Sequence, residues 1–313
     1  MLALASLYWG LSFPIIKALT LLNRSLVPDA GSWFVSSAAM APRFVLAAAI
    51  LLLLRRRGDA PLTRSELRQG AGMGAFACVG TLLQTDGLQY TEGSTSAFLT
   101  QFSAIFVPAW IALRHRRNPG IVVWACCALV LVGGAILGHF DWRTLRLGRG
   151  EWETLLSAVA YTGQILWLER REFEGNRPGR VTHVMFALQA AVFVALAAAT
   201  APRAGALAEP WESPSWVAMT LVLTVVCTVG AFSIMTRWQP KITSTEAGLI
   251  YCTEPVFTSG FVLFVPALLS AWTGIAYPNE QATASLVVGG CLITLANVAV
   301  QIKFSKVIGQ LDA

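Results

Sequence analysis

Charge is scarce in this chain. Asp, Glu, Lys and Arg make up 13% of its 313 residues and hydrophobic residues 55%, where a soluble domain carries about 25% charged residues. So little polar material cannot cover a surface that faces water, and no polar segment is long enough to bury a core of its own, which excludes a soluble domain. Histidine is scarcer still. His115, His139 and His183 lie far apart, and no HExxH, GxSxG or paired acidic motif occurs. Membrane enzymes need such clusters, so the expectation is a non-enzyme without cofactor or metal. The six cysteines at 78, 126, 127, 227, 252 and 291 show no metal-ligand spacing and fall in apolar stretches, where free thiols are expected.

What the chain does have is long apolar runs. Ten lie near 2–22, 34–54, 68–90, 95–113, 120–139, 152–169, 181–201, 214–236, 245–268 and 283–304. A bilayer core of about 30 Å needs roughly 20 helical residues, which these runs supply. They are too long and too continuously apolar for barrel strands, and the Ala- and Leu-rich stretches at 44–54 and 187–201 favour helix. A signal peptide is not expected at the first run, which has no basic residue before it and contains Pro14 and Lys17.

Basic residues set the expected topology. With the N-terminus in the cytoplasm, sixteen Lys and Arg fall on inside segments and five on outside ones. That bias places both termini inside by the positive-inside rule. It also accounts for the net charge of +6, so no nucleic-acid partner is expected.

One stretch occurs twice. Gln89–Leu99 and Gln239–Leu249 share five of eleven positions, among them Ser-Thr-x-Ala-x-Leu. Five runs per half is an odd number, so a duplicated half starts from the opposite side of the membrane and the two copies are inverted. The reading is one membrane domain made of residues 1–145 and 146–313, two inverted five-helix repeats around a central cavity, joined near 140–150 (Asp141, Arg143, Arg146, Arg149, Gly150). The repeat aligns Gln101 with Tyr251.

Local patterns then converge. The first run holds Trp9-Gly10-Leu11-Ser12-Phe13 with Lys17 beyond it, the second Pro42-Arg43-Phe44. The third-to-fourth junction reads Gly87-Leu88-Gln89-Tyr90-Thr91 and then Ser94-Thr95-Ser96-Ala97-Phe98-Leu99. The ninth run carries Glu254-Pro255-Val256-Phe257. In this order the motifs resemble the ten-helix EamA-type exporters of the drug/metabolite transporter superfamily, most of all the bacterial aromatic amino acid exporters. The resemblance implies a cavity lined by the first, third, fourth, sixth, eighth and ninth runs, with the fifth and tenth peripheral.

Candidate site residues follow from polarity inside apolar runs. Trp9, Ser12, Thr81, Gln84, Gln101, Tyr161, Gln164, Trp167 and Tyr251 combine hydroxyls and amides that orient a small polar substrate with rings that wall it; interhelical glue is the competing reading. Glu254 is the sharpest single residue, because a charge at the centre of a span costs on the order of 2.5–3.5 kcal/mol. It is a candidate for coupling, with protons as the candidate coupling ion. Pro14, Pro108 and Pro255 each free a carbonyl one turn back (Gly10, Ala104 and Tyr251) and are candidate hinges for gating. Lys17 and Arg43 read as internal ion-pair or carbonyl partners, with Asp86 expected to pair with one of them. Trp33, Trp142, Trp211, Trp216 and Trp272 read as interfacial anchors.

The functional expectation is an inner-membrane transporter of a bacterium that exports small metabolites by alternating access, aromatic or other apolar amino acids favoured. The alternatives are export of another metabolite or drug-like compound within the same superfamily, and a non-transporting receptor or channel.

Overall fold

The structure, a computed structural model, describes residues 1–54, 61–116, 120–137, 147–284, 287–296 and 299. Among the described residues it is all helical, without a strand. In chain order the helices are α1 (Leu2–Leu26), α2 (Ser32–Leu53), α3 (Arg64–Gly87), α4 (Gly93–Thr100), α5 (Ser103–His115), α6 (Ile121–Leu137), α7 (Arg149–Leu168) and α8 (Pro178–Thr200). There follow α9 (Pro214–Val222), which runs through a π-helical segment, Leu223–Gly230, into α10 (Ala231–Trp238), then α11 (Ser244–Tyr251), α12 (Glu254–Val262) and α13 (Val265–Thr273), and a last helix α14 (Val287–Ala296).

Local chemistry sets the helix starts. Thr63 and Glu66 form a reciprocal capping box at α3, as Thr243 and Glu246 do at α11. Ser213 caps α9, with Pro214 in its first turn.

Among the described residues, five stretches are long and apolar enough to cross a membrane: α1, α2, the α4–α5 pair, α8 and the α9–α10 stretch. A sixth counts if the bent α11–α13 stretch is one span. The ninth run is therefore not straight, because it turns by 51° after Val262. Helices α3 and α7 are long as well, at 24 and 20 residues, but more polar, since they carry Thr81, Gln84, Tyr161 and Gln164. Apolar side chains such as Val79, Leu156, Val159, Val192, Val194 and Val225 are exposed on the outer surface, as a lipid-facing surface requires. The expected joint at Asp141, Arg143 and Arg146 lies outside the described residues.

The halves interleave. Helix α2 packs along α8, α3 lies against α7 and α8, and α1 crosses α12 and the π-helical segment. One apolar core joins them; in it Phe44 stacks on Phe193 with ring centroids 5.5 Å apart. Gly10 is what lets α1 touch α12, because a Cβ there would lie 2.9 Å from Phe257 Cβ and 3.0 Å from Thr258 N.

Two helical stretches are broken after eight residues: α4 gives way to α5 at Gln101–Phe102, and α11 to α12 at Cys252–Thr253. The break thus precedes Pro108 rather than falling on it, and the Ala104 carbonyl that Pro108 frees accepts from the Cys127 thiol at 3.2 Å. Glu254 and Pro255 open α12. They lie at the broken middle of their stretch, where a proline in the first turn costs no backbone bond. The breaks also pair Gln101 with Cys252, one residue off the alignment with Tyr251. Thr243 is held outside α11 as its cap, whereas Gly93, the aligned residue, has no capping side chain and is taken into α4.

Candidate functional site

A cavity of about 80 Å³ opens between the halves. A single water needs on the order of 10–15 Å³, so there is room for several waters or a small solute. Helix α1 brings Trp9, Ser12 and Ile16 to it, a spacing of three and four that keeps one face inward. Helix α3 brings Thr81 and Gln84, the α4–α5 break Thr100, Gln101 and Ser103, and α7 Tyr161, Gln164 and Ile165. From the second half come Phe232 and Met235 on α10, Tyr251 at the end of α11, and Glu254 at the start of α12. Eight of the nine residues singled out as substrate contacts therefore meet at one place, together with Glu254.

Hydrogen bonds hold much of the lining in position. Tyr161 Oη donates to Gln84 Oε1 at 2.9 Å, Gln84 Nε2 to Thr100 Oγ1 at 3.2 Å, and Thr100 Oγ1 to the Ser96 carbonyl at 2.9 Å, so α7, α3 and α4 are tied in one chain. Tyr251 Oη donates to Gln239 Oε1 at 2.9 Å, and Gln239 Nε2 to the Ile165 carbonyl at 3.1 Å. The Trp9 ring stands edge-on to Tyr251 and Phe232, with centroids 5.2 and 5.3 Å away, a packing that fixes its tilt.

Trp167 is the exception. Its Nε1 donates to the Gln69 carbonyl at 3.2 Å, and its ring packs on Phe173 and under Arg170. It belongs to the rim at the α3 N-terminus, because residue 167 lies near the end of α7, away from the cavity. Pro14 and Pro108 sit inside α1 and α5 without lining the cavity.

The expected partner of Asp86 is also corrected. Asp86 pairs with Arg149 Nη2 at 2.5 Å and accepts from Ser36 at 3.1 Å and Gln89 at 3.2 Å. Lys17 Nζ instead donates to the Thr91 carbonyl at 2.6 Å, and Arg43 Nε to Thr228 Oγ1 at 2.5 Å. Asp86 closes the last turn of α3 and so faces the start of α7, which carries Arg149.

Sequence reasoning missed Arg43 as a cavity residue. Arg43 is 4% exposed yet reaches the cavity from α2, a helix not expected to line it. The length of the arginine side chain allows this, and its charge inside an apolar run was the available signal. Phe232 and Met235 were missed as well; apolar residues within an apolar run carry no such signal.

Polar ties close the bundle at both ends. At the α3 N-terminus, Arg177 donates to Glu66 from Nε at 2.6 Å and from Nη2 at 2.9 Å, and this guanidinium holds the Glu66 carboxyl down at about 2. Nearby, Glu169 accepts from the Ser244 amide at 2.8 Å. At the opposite end, beyond α1 and α8, Arg203 bridges Asp29 and Glu209. No group of His, Cys, Asp and Glu fit to hold a metal ion exists among the described residues, and the cysteines there are free thiols.

Comparison with known proteins places this geometry. A solved crystal structure covers 95% of this chain and 97% of its own with a TM-score of 0.58 at 14% identity, which shows a shared fold. A protein of Archaeoglobus fulgidus described as an uncharacterized transporter is 23% identical over 272 residues, spanning 85% of this chain and 77% of that one. The model of the EamA-like transporter family matches residues 1–138. That match covers the first 138 of 313 residues, so this part of the chain is similar to the EamA-like transporter family.

Proposed function

We propose that this chain is a membrane transporter that exports small metabolites, aromatic or other apolar amino acids in particular, from the cytoplasm by alternating access. One observation carries the reading: eight separately chosen residues converge with Glu254 on a single cavity between the halves, walled by rings and set with amides and hydroxyls. Such a lining suits a solute with an apolar side chain and a small polar head.

The two halves act as inverted repeats. Exchanging them maps the α3–α7 packing onto that of α1 against the α9–α10 stretch, and α4 against α7 onto α11 and α12 against α1, which is the pairing that a pseudo-two-fold axis in the membrane plane requires. Ten spans and both termini in the cytoplasm follow from the run count and the basic-residue bias, and a bacterial inner membrane from the resemblance to bacterial exporters. Pro255, beside the α11–α12 break, and Pro14 and Pro108, within α1 and α5, are the points at which gating bends the bundle, and Glu254 is the coupling group.

A counterflow screen of labelled amino acids with purified protein in liposomes tests the reading. Saturable uptake of apolar amino acids is expected. Flux without saturation indicates a channel, and no flux with any amino acid rejects the substrate class.

A further inference from the structure

Two residues of the cavity lining carry formal charge, Arg43 and Glu254. Neither is within salt-bridge distance of an opposite charge among the described residues, including each other. Arg43 spends Nε on Thr228 and Nη1 on the Met40 sulfur at 3.5 Å, while its Nη2 makes no hydrogen bond among them. The Phe44 ring packs under the guanidinium at 5.1 Å. Thr228 is itself locked in place, because its hydroxyl donates to the Leu223 carbonyl five residues back, at 2.8 Å, within the π-helical segment. The guanidinium is therefore aimed and held with one edge unused.

A buried cation without a counter-charge is strongly unfavourable and persists where something compensates it. Two further lining groups are unmatched. Trp9 Nε1, a donor, and Gln101 Oε1, an acceptor, are buried without a hydrogen-bond partner among the described residues, which is unfavourable while they stay unpaired. Unused donors on Arg43 and Trp9, with unused acceptors on Gln101 and Glu254, are the complement of a small zwitterion.

We infer that Arg43 is the anion anchor of the cavity: its free edge, with Trp9 Nε1, takes the carboxylate of an α-amino acid, while Gln101 Oε1 and the Glu254 carboxylate take the ammonium. This rests on the cavity being the substrate site and adds which group of the substrate each residue reads. A planar guanidinium suits a carboxylate because two parallel N–H donors match its two oxygens.

The test compares binding of leucine, isopentylamine (leucine without its carboxylate) and 4-methylpentanoate (leucine without its ammonium) to the full chain in detergent by titration calorimetry. Wild-type protein binds leucine at least about tenfold more tightly than isopentylamine. Arg43→Gln binds leucine roughly 10- to 100-fold more weakly, the loss of one charge-assisted contact, and no longer prefers it to isopentylamine. Arg43→Lys recovers part of that preference. Equal wild-type binding of leucine and isopentylamine overturns the inference without any variant, so it stays decidable if Arg43→Gln does not fold. An undiminished preference in Arg43→Gln overturns it too, as does a wild type that binds neither leucine nor 4-methylpentanoate. Wild-type binding of 4-methylpentanoate alone, lost in Arg43→Gln, keeps the anchor and rejects the amino-acid reading.

Discussion

Tyr161 on α7 donates its phenol proton to Gln84 on α3 at 2.9 Å, and both side chains face the cavity. The bond joins the two halves across the site and fixes which way the Gln84 amide points, since its other end is taken by Thr100.

Tyr161→Phe removes that donor and leaves the Gln84 amide free to turn. One such bond is worth about 1 kcal/mol, so KM for transport is expected to rise about fivefold with kcat little changed. Counterflow kinetics in liposomes measure it, and an unaltered KM speaks against a positioning role for Tyr161.

Glu254→Gln keeps the shape of the α12 start and removes its charge. The expected outcome is loss of pH-driven flux, with solute exchange retained at a raised KM because the substrate ammonium loses one of its two acceptors. The same flux assay, run with and without an imposed pH gradient, decides it: a pH dependence like that of the wild type rejects Glu254 as the coupling group.

The Glu66–Arg177 pair predicts acid sensitivity at one end of the bundle. Glu66 sits near 2, below the ordinary 4.5, because the Arg177 guanidinium favours its charged form. Its contribution is therefore complete above about 4.5 and is lost as pH falls from there toward 2. Glu66→Gln should lower thermal stability at neutral pH by about 1–2 kcal/mol and flatten the dependence below pH 4.5. Melting curves in detergent across that range test both parts, and parallel curves for variant and wild type contradict the assignment.

Gly10→Ala places a methyl group against Phe257 Cβ and the backbone of Thr258 and Glu254. Backbone cannot swing aside as a side chain can, so α1 and α12 must part, at a cost of about 1–3 kcal/mol. Trp9 and Glu254 flank the contact, so transport is expected to suffer along with stability. A variant with wild-type melting temperature and KM would show that the crossing has slack.

Much was legible in the residue order. Scarce charge and long apolar runs meant a helical membrane protein, because lipid tolerates few other backbones. Hydroxyls, amides and aromatic rings inside those runs pointed inward for the same reason, and of the nine chosen as contacts only Trp167 lies elsewhere. Helical spacing tells which side chains share a face, but not where along the span a neighbour begins.

Tertiary packing decided the rest. Asp86 and Arg149 are 63 residues apart, and nothing local indicates that α7 starts beside the end of α3. Arg43 looked like any intramembrane ion in need of a carboxylate. Only the packing of α2 against α8 and the π-helical segment shows that its partner is Thr228 and that it lines the cavity. Sequence determined the solvent, the helices and most of the inward-facing chemistry, since these depend on composition and short-range periodicity. The pairing of charges, the breaks at Gln101 and Cys252 and the place of Arg43 came from the fold, because they depend on which distant helices meet and at what height.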